Sequence, residues 1–165
     1  MVTLDMAPEV EVKILDHRLE QWGLPAYQSD MAAAMDLHAC IDTPINIAPN
    51  SASILIPSGI AVYLKSPYVA AVLLPRSGLG HKKGLVLGNL VGLIDADYTA
   101  GVMISAWNRS APGTEPIVIA PGERIAQLMF VPVVRPVLRI VDEFSETTRR
   151  GGGGFGSTGL TKQGT

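Results

Sequence analysis

The sequence predicts an all-β fold, either a β-sandwich or a distorted jelly roll. Apolar residues make up 47% of the 165 residues but aromatic residues only 5%, so aliphatic side chains that suit a pleated sheet dominate. Short apolar runs recur along the chain between Pro- and Gly-containing turns, as in sandwiches and barrels. Helical periodicity is weak throughout. The length fits one domain of ordinary size.

The first strand is predicted near the N-terminus, where Val10, Val12 and Ile14 alternate with charged residues. This alternation is the pattern of a half-buried strand. Further apolar runs predict strands over 53–56, 60–64, 69–74, 85–87, 102–107, 117–120 and 125–134.

Turn signals separate these strands. They are Pro57-Ser58-Gly59, residues 108–113 and Pro121-Gly122. Gly88 and Gly92 bracket another turn, so we expect 85–87 and the residues after Gly92 to form a β-hairpin. Composition then changes near the C-terminus, where glycine becomes frequent and large apolar residues become scarce. We therefore predict a β domain over 1–145 and a mobile arm over 146–165.

Charge and composition exclude several classes of function. A formal net charge of −2 argues against a nucleic-acid partner, which requires a basic surface. The single cysteine, Cys40, excludes an internal disulfide and fits a reducing compartment. We expect a cytoplasmic protein without a membrane partner, because there is no leader-like segment and no apolar run near the ~20 residues of a membrane helix. The high apolar content favours an oligomer.

The most informative stretch is 74–105, which begins with Pro75-Arg76-Ser77-Gly78. Arginine offers a planar fork of donors to phosphate oxygens, and nearby glycines let backbone N–H groups form an anion-binding nest. Alone, this tetrapeptide is more often a surface arginine before a tight turn. The same stretch contains Asp95, Asp97 and Tyr98.

Asp95 and Asp97 are two residues apart, so on a strand they would share one face. Such a pair is compatible with a water-activating or metal-linked site. It is equally compatible with an edge strand that carries solvated carboxylates.

Three other groups of residues are candidates for a site. Gln127 enters an apolar strand after Pro121-Gly122, and Asp36 lies inside the apolar run at 34–39. The segment 150–159, RGGGGFGSTG, combines a cation, glycines, hydroxyls and one aromatic ring, but its order differs from a Walker P-loop. Each group alone is more often structural. The three histidines are too scattered to indicate a zinc site.

Together these motifs resemble the trimeric dUTPases (deoxyuridine triphosphate nucleotidohydrolases) over nearly the whole chain. The resemblance is carried by five ordered segments, namely AAAMDLHA near Asp36, PRSGLG, GNLVGLIDADYTAG, ERIAQL and RGGGGFGSTG. It implies a jelly-roll homotrimer whose active sites lie at subunit interfaces. It also implies that the glycine-rich arm closes a neighbouring subunit's site, and that dUTP is hydrolysed to dUMP and pyrophosphate with Mg²⁺ as cofactor.

The resemblance also implies roles for individual residues. Asp95 matches the aspartate that activates the attacking water, and Tyr98 matches the tyrosine that packs on the deoxyribose. Asp36 matches an aspartate for which the resemblance allows two positions. It lies either near the metal's water shell, where it contacts the metal indirectly through water, or near the phosphate-binding arginine. The other substrate-binding matches are Arg76, Ser77, Gly78, Asn89, Gly92, Leu93, Ile94, Met103, Gln127, Arg150, Phe155, Gly156, Ser157 and Thr158.

The sequence departs from the family pattern at Ala34, His38 and Ala100, without loss of a chemical group expected in the site. A dCTP deaminase, which shares the implied fold, is the nearest alternative. Its chemistry uses a glutamate, and none occurs between Lys65 and Trp107. A second alternative is a nucleotide-binding regulatory trimer without turnover. Such a protein would be expected to lack Asp95 or Phe155.

Overall fold

The computed structural model describes residues 8–148 and 151. The chain divides into two units, Met1–Val134 and Arg135–Thr165. The boundary predicted after residue 145 stays a prediction. All strands and helices of the described residues lie in the first unit, and none of these helices is long and apolar enough to span a membrane.

The described residues form ten strands and two short helices, which confirms the all-β prediction. The helices are α1 (Leu19–Trp22) and α2 (Ser77–Lys82). The strands are β1 (Glu11–Ile14), β2 (Met35–His38), β3 (Ile45–Ile47), β4 (Ile54–Tyr63), β5 (Val69–Pro75), β6 (Leu85–Leu87), β7 (Gly92–Ile94), β8 (Gly101–Asn108), β9 (Ile117–Ile119) and β10 (Arg124–Pro132). Strand β2 lies within the apolar, strand-like run at 34–39, whereas strand β3 and both helices were not among the predicted elements.

The strands form two four-stranded sheets and one two-stranded sheet. The orders are β1-β4-β8-β6, β2-β10-β5-β7 and β3-β9. Every pairing is antiparallel. From β4 to β8 the chain changes sheet at every connection, so the two larger sheets are built together. Their buried apolar side chains share one core.

Alternation along β8 shows how the sequence defines the faces of a sheet. Val102, Ile104 and Ala106 are buried at 1% exposure each, whereas Met103 is 38% exposed. This period of two follows from the pleat of a strand. Met103 thereby remains available on the outer face.

The predicted turn at Pro57-Ser58-Gly59 is wrong, because β4 runs through it as one strand. The pairing of β4 with β8 shifts register between Pro57 and Ala61, so these residues form a bulge. Gly59 has φ +76°, and a Cβ there would collide with the Cys40 Sγ. Glycine is therefore required by the bulge and by close packing, and it does not end the strand.

The predicted hairpin of 85–87 with the residues after Gly92 is also wrong. Strand β6 pairs with β8 in one sheet, and β7 pairs with β5 in the other. The Gly88 N–H donates to the Ser105 carbonyl at 2.8 Å and so extends the pairing with β8, and the turn that follows is closed by the Leu90 N–H, which donates to the Leu87 carbonyl at 3.1 Å. The glycines thus mark a crossing between sheets, which local turn chemistry does not distinguish from a hairpin.

Candidate active site

A buried carboxylate organises the first group of predicted site residues. Asp36 lies on β2 with 6% exposure. In the register of the sheet it is opposite Gln127 of β10, and Gln127 is opposite Leu74 of β5. Arg76 follows the end of β5. Three adjacent strands therefore bring Asp36, Arg76 and Gln127 together although they are far apart in the sequence.

Asp36 accepts three side-chain contacts. Arg76 Nε lies 3.1 Å from Oδ1, and Arg124 Nη1 donates to Oδ2 at 3.0 Å. Gln127 Nε2 donates to Oδ1 at 3.3 Å. Arg76 Nη1 also donates to the Arg124 carbonyl at 3.0 Å. A buried carboxylate is stable when it is paired and hydrogen-bonded in this way, and both arginines are thereby held in fixed positions.

His38 lies two residues after Asp36 on the same strand, with 7% exposure. Burial lowers its pKa, and the positive charges of Arg124 and Arg76 lower it further, against the opposing effect of Asp36. The imidazole is therefore neutral at neutral pH. This arrangement keeps a third cation away from the Arg76–Arg124 pair.

A cavity of about 320 Å³ opens beside this cluster. Its lining residues are Arg76, Ser77, Gly78, Leu79, Lys82, Lys83 and Gln127. A short helix follows Arg76 in place of the alternative tight turn, because Ser77 begins α2 and Arg76 precedes it in an extended conformation. The cavity brings together four of the predicted substrate-binding residues. Lys82, Lys83 and Arg124 were missed as site residues, although the three cations are apparent in GHKKG and GERIA.

The second group of predicted residues surrounds β7. Asn89 lies in the turn before this strand, and Gly92, Leu93 and Ile94 form the strand itself. Asp95 and Tyr98 lie in the turn that follows, where the Tyr98 N–H donates to the Asp95 carbonyl at 3.2 Å. The prediction that Asp95 and Asp97 share a strand face is therefore wrong, because the strand ends at Ile94.

Tyr98 is held in an orientation that leaves part of its ring accessible. Its hydroxyl donates to the Gly101 carbonyl at 3.2 Å, and the side chain remains 41% exposed. The ring therefore provides an apolar surface at a fixed position. Asp95 and Asp97 are exposed in the same turn.

The two groups lie toward opposite ends of β5. In the β5–β7 register Ile94 is opposite Ala71, whereas Arg76 follows Pro75 at the far end of the strand. Asp95, the next residue beyond Ile94, is thus about six residues from Arg76, or about 20 Å at ~3.3 Å per residue. One described subunit does not bring Asp95 to the Arg76 cavity.

The remaining predicted site residues, Arg150 and Phe155 to Thr158, lie outside the described residues. Among residues 8–148 and 151, no cluster of three or more His, Cys, Asp or Glu side chains is suited to hold a metal ion. Both oxygens of Asp36 already accept hydrogen bonds from side-chain donors.

The comparisons with known proteins agree on the family. Residues 20–159 match the dUTPase family model. The chain is 54% identical over 155 residues to the deoxyuridine 5'-triphosphate nucleotidohydrolase of Shewanella amazonensis, covering 93% of this chain and 99% of that protein.

Solved structures give the same result for the fold. The dUTPase of Staphylococcus bacteriophage 80alpha with dUPNHPP superposes with a TM-score of 0.78 at 26% identity, over 93% of this chain and 100% of that chain. A mutant dUTPase from phage phi11 of S. aureus, whose structure reveals the coordination of a structural Mg(II) ion, has a TM-score of 0.70 at 23% identity, over 84% and 99%. The fold is the predicted jelly roll, and this chain belongs to the dUTPase family.

Proposed function

We propose that this protein hydrolyses dUTP to dUMP and inorganic pyrophosphate. The family match and the names of the curated relatives support this activity. The observation that carries the proposal is the buried Asp36, which holds Arg76 and Gln127 at the edge of a cation-lined cavity. A cavity with this charge suits a ligand that carries several negative charges, such as a triphosphate.

The phosphates are bound by Arg76, Ser77, Gly78 and Gln127. The Arg76 side chain is 31% exposed although it is paired with Asp36, so its guanidinium contacts both the carboxylate and the ligand. Of the two roles implied for Asp36, its contacts favour the orientation of Arg76. A contact of Asp36 with a bound magnesium ion would pass through water, since the Asp36 oxygens already accept side-chain donors.

A magnesium ion would be held by the phosphate oxygens of dUTP, where it would neutralise part of the negative charge of the triphosphate. The absence of an acidic cluster among the described residues is compatible with this, because Mg²⁺ retains several waters and binds through phosphate oxygens. The protein supplies the positive charges and the backbone donors that position the triphosphate. Positioning and charge neutralisation are the main requirements of phosphoryl chemistry.

Hydrolysis occurs by attack of a water molecule on the α-phosphorus. Asp95 orients this water and accepts its proton as the new P–O bond forms. The bond between the α-phosphorus and the bridging oxygen breaks, and pyrophosphate leaves with the electron pair. The exposed position of Asp95 in the turn after β7 leaves its carboxylate free to face a ligand held by another subunit.

The nucleoside is recognised by the region around β7. Asn89 and the backbone of residues 92–94 bind uracil, and Met103 contributes from the outer face of β8. Tyr98 packs against the deoxyribose with a ring whose hydroxyl is fixed by Gly101. A ribose 2′-hydroxyl clashes with this ring, so the enzyme discriminates against UTP.

The active site is composite and the protein is a homotrimer. The separation of about 20 Å between Asp95 and Arg76 along β5 supports a site in which these residues come from different subunits. Cyclic trimers provide three equivalent interfaces for such sites. The arm contributes Arg150, Phe155, Gly156, Ser157 and Thr158, with Phe155 over the uracil ring. In the cell the reaction keeps dUTP low and supplies dUMP for thymidylate synthesis.

Pyrophosphate release across dUTP, dCTP, dTTP and UTP, with and without Mg²⁺, tests the proposal. We expect rapid release from dUTP alone and stimulation by Mg²⁺. Release of ammonia from dCTP would identify a deaminase instead. Tight binding of dUTP without pyrophosphate release would identify a nucleotide-binding protein without turnover.

A further inference from the structure

The cavity beside Arg76 contains more positive charge than the predicted phosphate ligands provide. Lys82 and Lys83 line it together with Arg76, and none of its lining residues is acidic. Lys83 also lines a second cavity of about 360 Å³ that includes Glu115. Lys82 is therefore the lysine more closely associated with the cationic cavity.

Over residues 8–148 and 151, neither Lys82 nor Lys83 lies within 4.0 Å of a carboxylate oxygen, whereas Arg76 in the same cavity is paired with Asp36. Lys13 and Arg109 also lack a carboxylate partner within this part of the chain, but neither of them lines this cavity. Like charges around one cavity repel each other. A bound anion relieves that repulsion, whereas water screens it only in part.

The spacing of the charges indicates the kind of anion. Arg76 caps the start of α2, and Lys82 is its last residue, which places them about 9 Å apart along the helix at ~1.5 Å per residue. Gly78 and Lys82 are four residues apart and so share one helix face. An anion with two adjacent charged groups, such as a diphosphate, can therefore contact Lys82 with one group and Ser77–Gly78 with the other.

We propose that Lys82 binds the terminal phosphates of the substrate and the inorganic pyrophosphate that leaves. The inference rests on the dUTP hydrolysis proposed above and extends the Arg76 site by one charged residue. An ammonium group contacts phosphate as a mobile point charge. Lys82 thereby stabilises the charge that accumulates on pyrophosphate as the bridging P–O bond breaks.

Titration of inorganic pyrophosphate into the full-length protein tests this inference by calorimetry, without turnover. We expect Lys82→Gln to raise the Kd for pyrophosphate about tenfold, since hydrogen bonds to charged groups are the stronger class. The Kd for dUMP, measured in the same way, should be unchanged, because dUMP lacks the terminal phosphates. Lys82→Arg, which keeps the charge, should bind pyrophosphate nearly as wild type does.

Lys13→Gln is the matched control, because it removes one exposed lysine on β1, away from this cavity. A pyrophosphate Kd for Lys82→Gln within about twofold of wild type would overturn the inference. So would an equal effect of Lys13→Gln, an equal loss of dUMP binding, or a wild-type protein that does not bind pyrophosphate. Release of pyrophosphate from dUTP by the wild type is measured separately. A failure of the proposed function can therefore be distinguished from a failure of the inference about Lys82.

Discussion

Substitution of Asp36 by Asn tests whether the buried carboxylate organises the phosphate site. Asp36 accepts from two guanidinium groups at 3.1 and 3.0 Å and from one amide at 3.3 Å, with 6% exposure. Asparagine keeps one acceptor oxygen but directs an amide N–H toward an arginine. Loss of one charge-assisted bond, together with one poorly paired arginine, should lower the free energy of unfolding by about 2–3 kcal/mol.

The same change should also raise the KM for dUTP by about tenfold, because Arg76 loses the partner that fixes its position. Denaturant unfolding at one protein concentration and steady-state kinetics measure the two effects. Asp42→Asn is the matched control, since its ion pair with Arg18 is 2.9 Å long but its side chain is 92% exposed. That change should alter stability by at most about 1 kcal/mol. Equal losses in the two variants, with an unchanged KM, would refute the reasoning.

Three further substitutions address catalysis and recognition. Asp95→Asn should lower kcat by at least about 100-fold with little change in KM, whereas Asp97→Asn in the same turn should retain activity. Equal kcat values in the two variants would contradict the role of Asp95 as the base. Tyr98→Ala should increase kcat/KM for UTP relative to dUTP, and an unchanged ratio argues against the sugar contact. Gly88→Ala should raise the KM for dUTP, because the new Cβ would lie 2.5 Å from the Ser53 Cβ. Adding Ser53→Gly to the same chain should restore the wild-type KM, and a double variant that keeps the high KM contradicts this packing.

Much of the fold is predictable because its signals are local. The run 85–87 coincides with β6, and 69–74 lies within β5. Strand β10 begins close to the prediction but ends at Pro132, since apolar character alone does not show where pairing stops. Helix α2 was missed because its sequence, SGLGHK, contains two glycines and is too short for helical periodicity.

The errors arise where distant parts of the chain determine the structure. Gly88 and Gly92 fit a hairpin locally, but the partners of the flanking strands are β8 and β5. The contact between Asp36 and Arg76 depends on the order β2-β10-β5, which no local pattern encodes. The resemblance to dUTPases supplied the residues of the site, whereas the opposite placement of Asp95 and Arg76 along β5 became apparent only from strand register.

Subunit mixing tests the central claim, a composite site in which Asp95 and Arg76 come from different chains. Asp95→Asn and Arg76→Ala subunits should each form inactive trimers. After they are unfolded together and refolded as a mixture, about one site in four should combine an intact Asp95 with an intact Arg76, because subunits assemble at random around the axis. We predict that dUTP hydrolysis returns to roughly that fraction of wild type. A mixture as inactive as its two components would contradict the account.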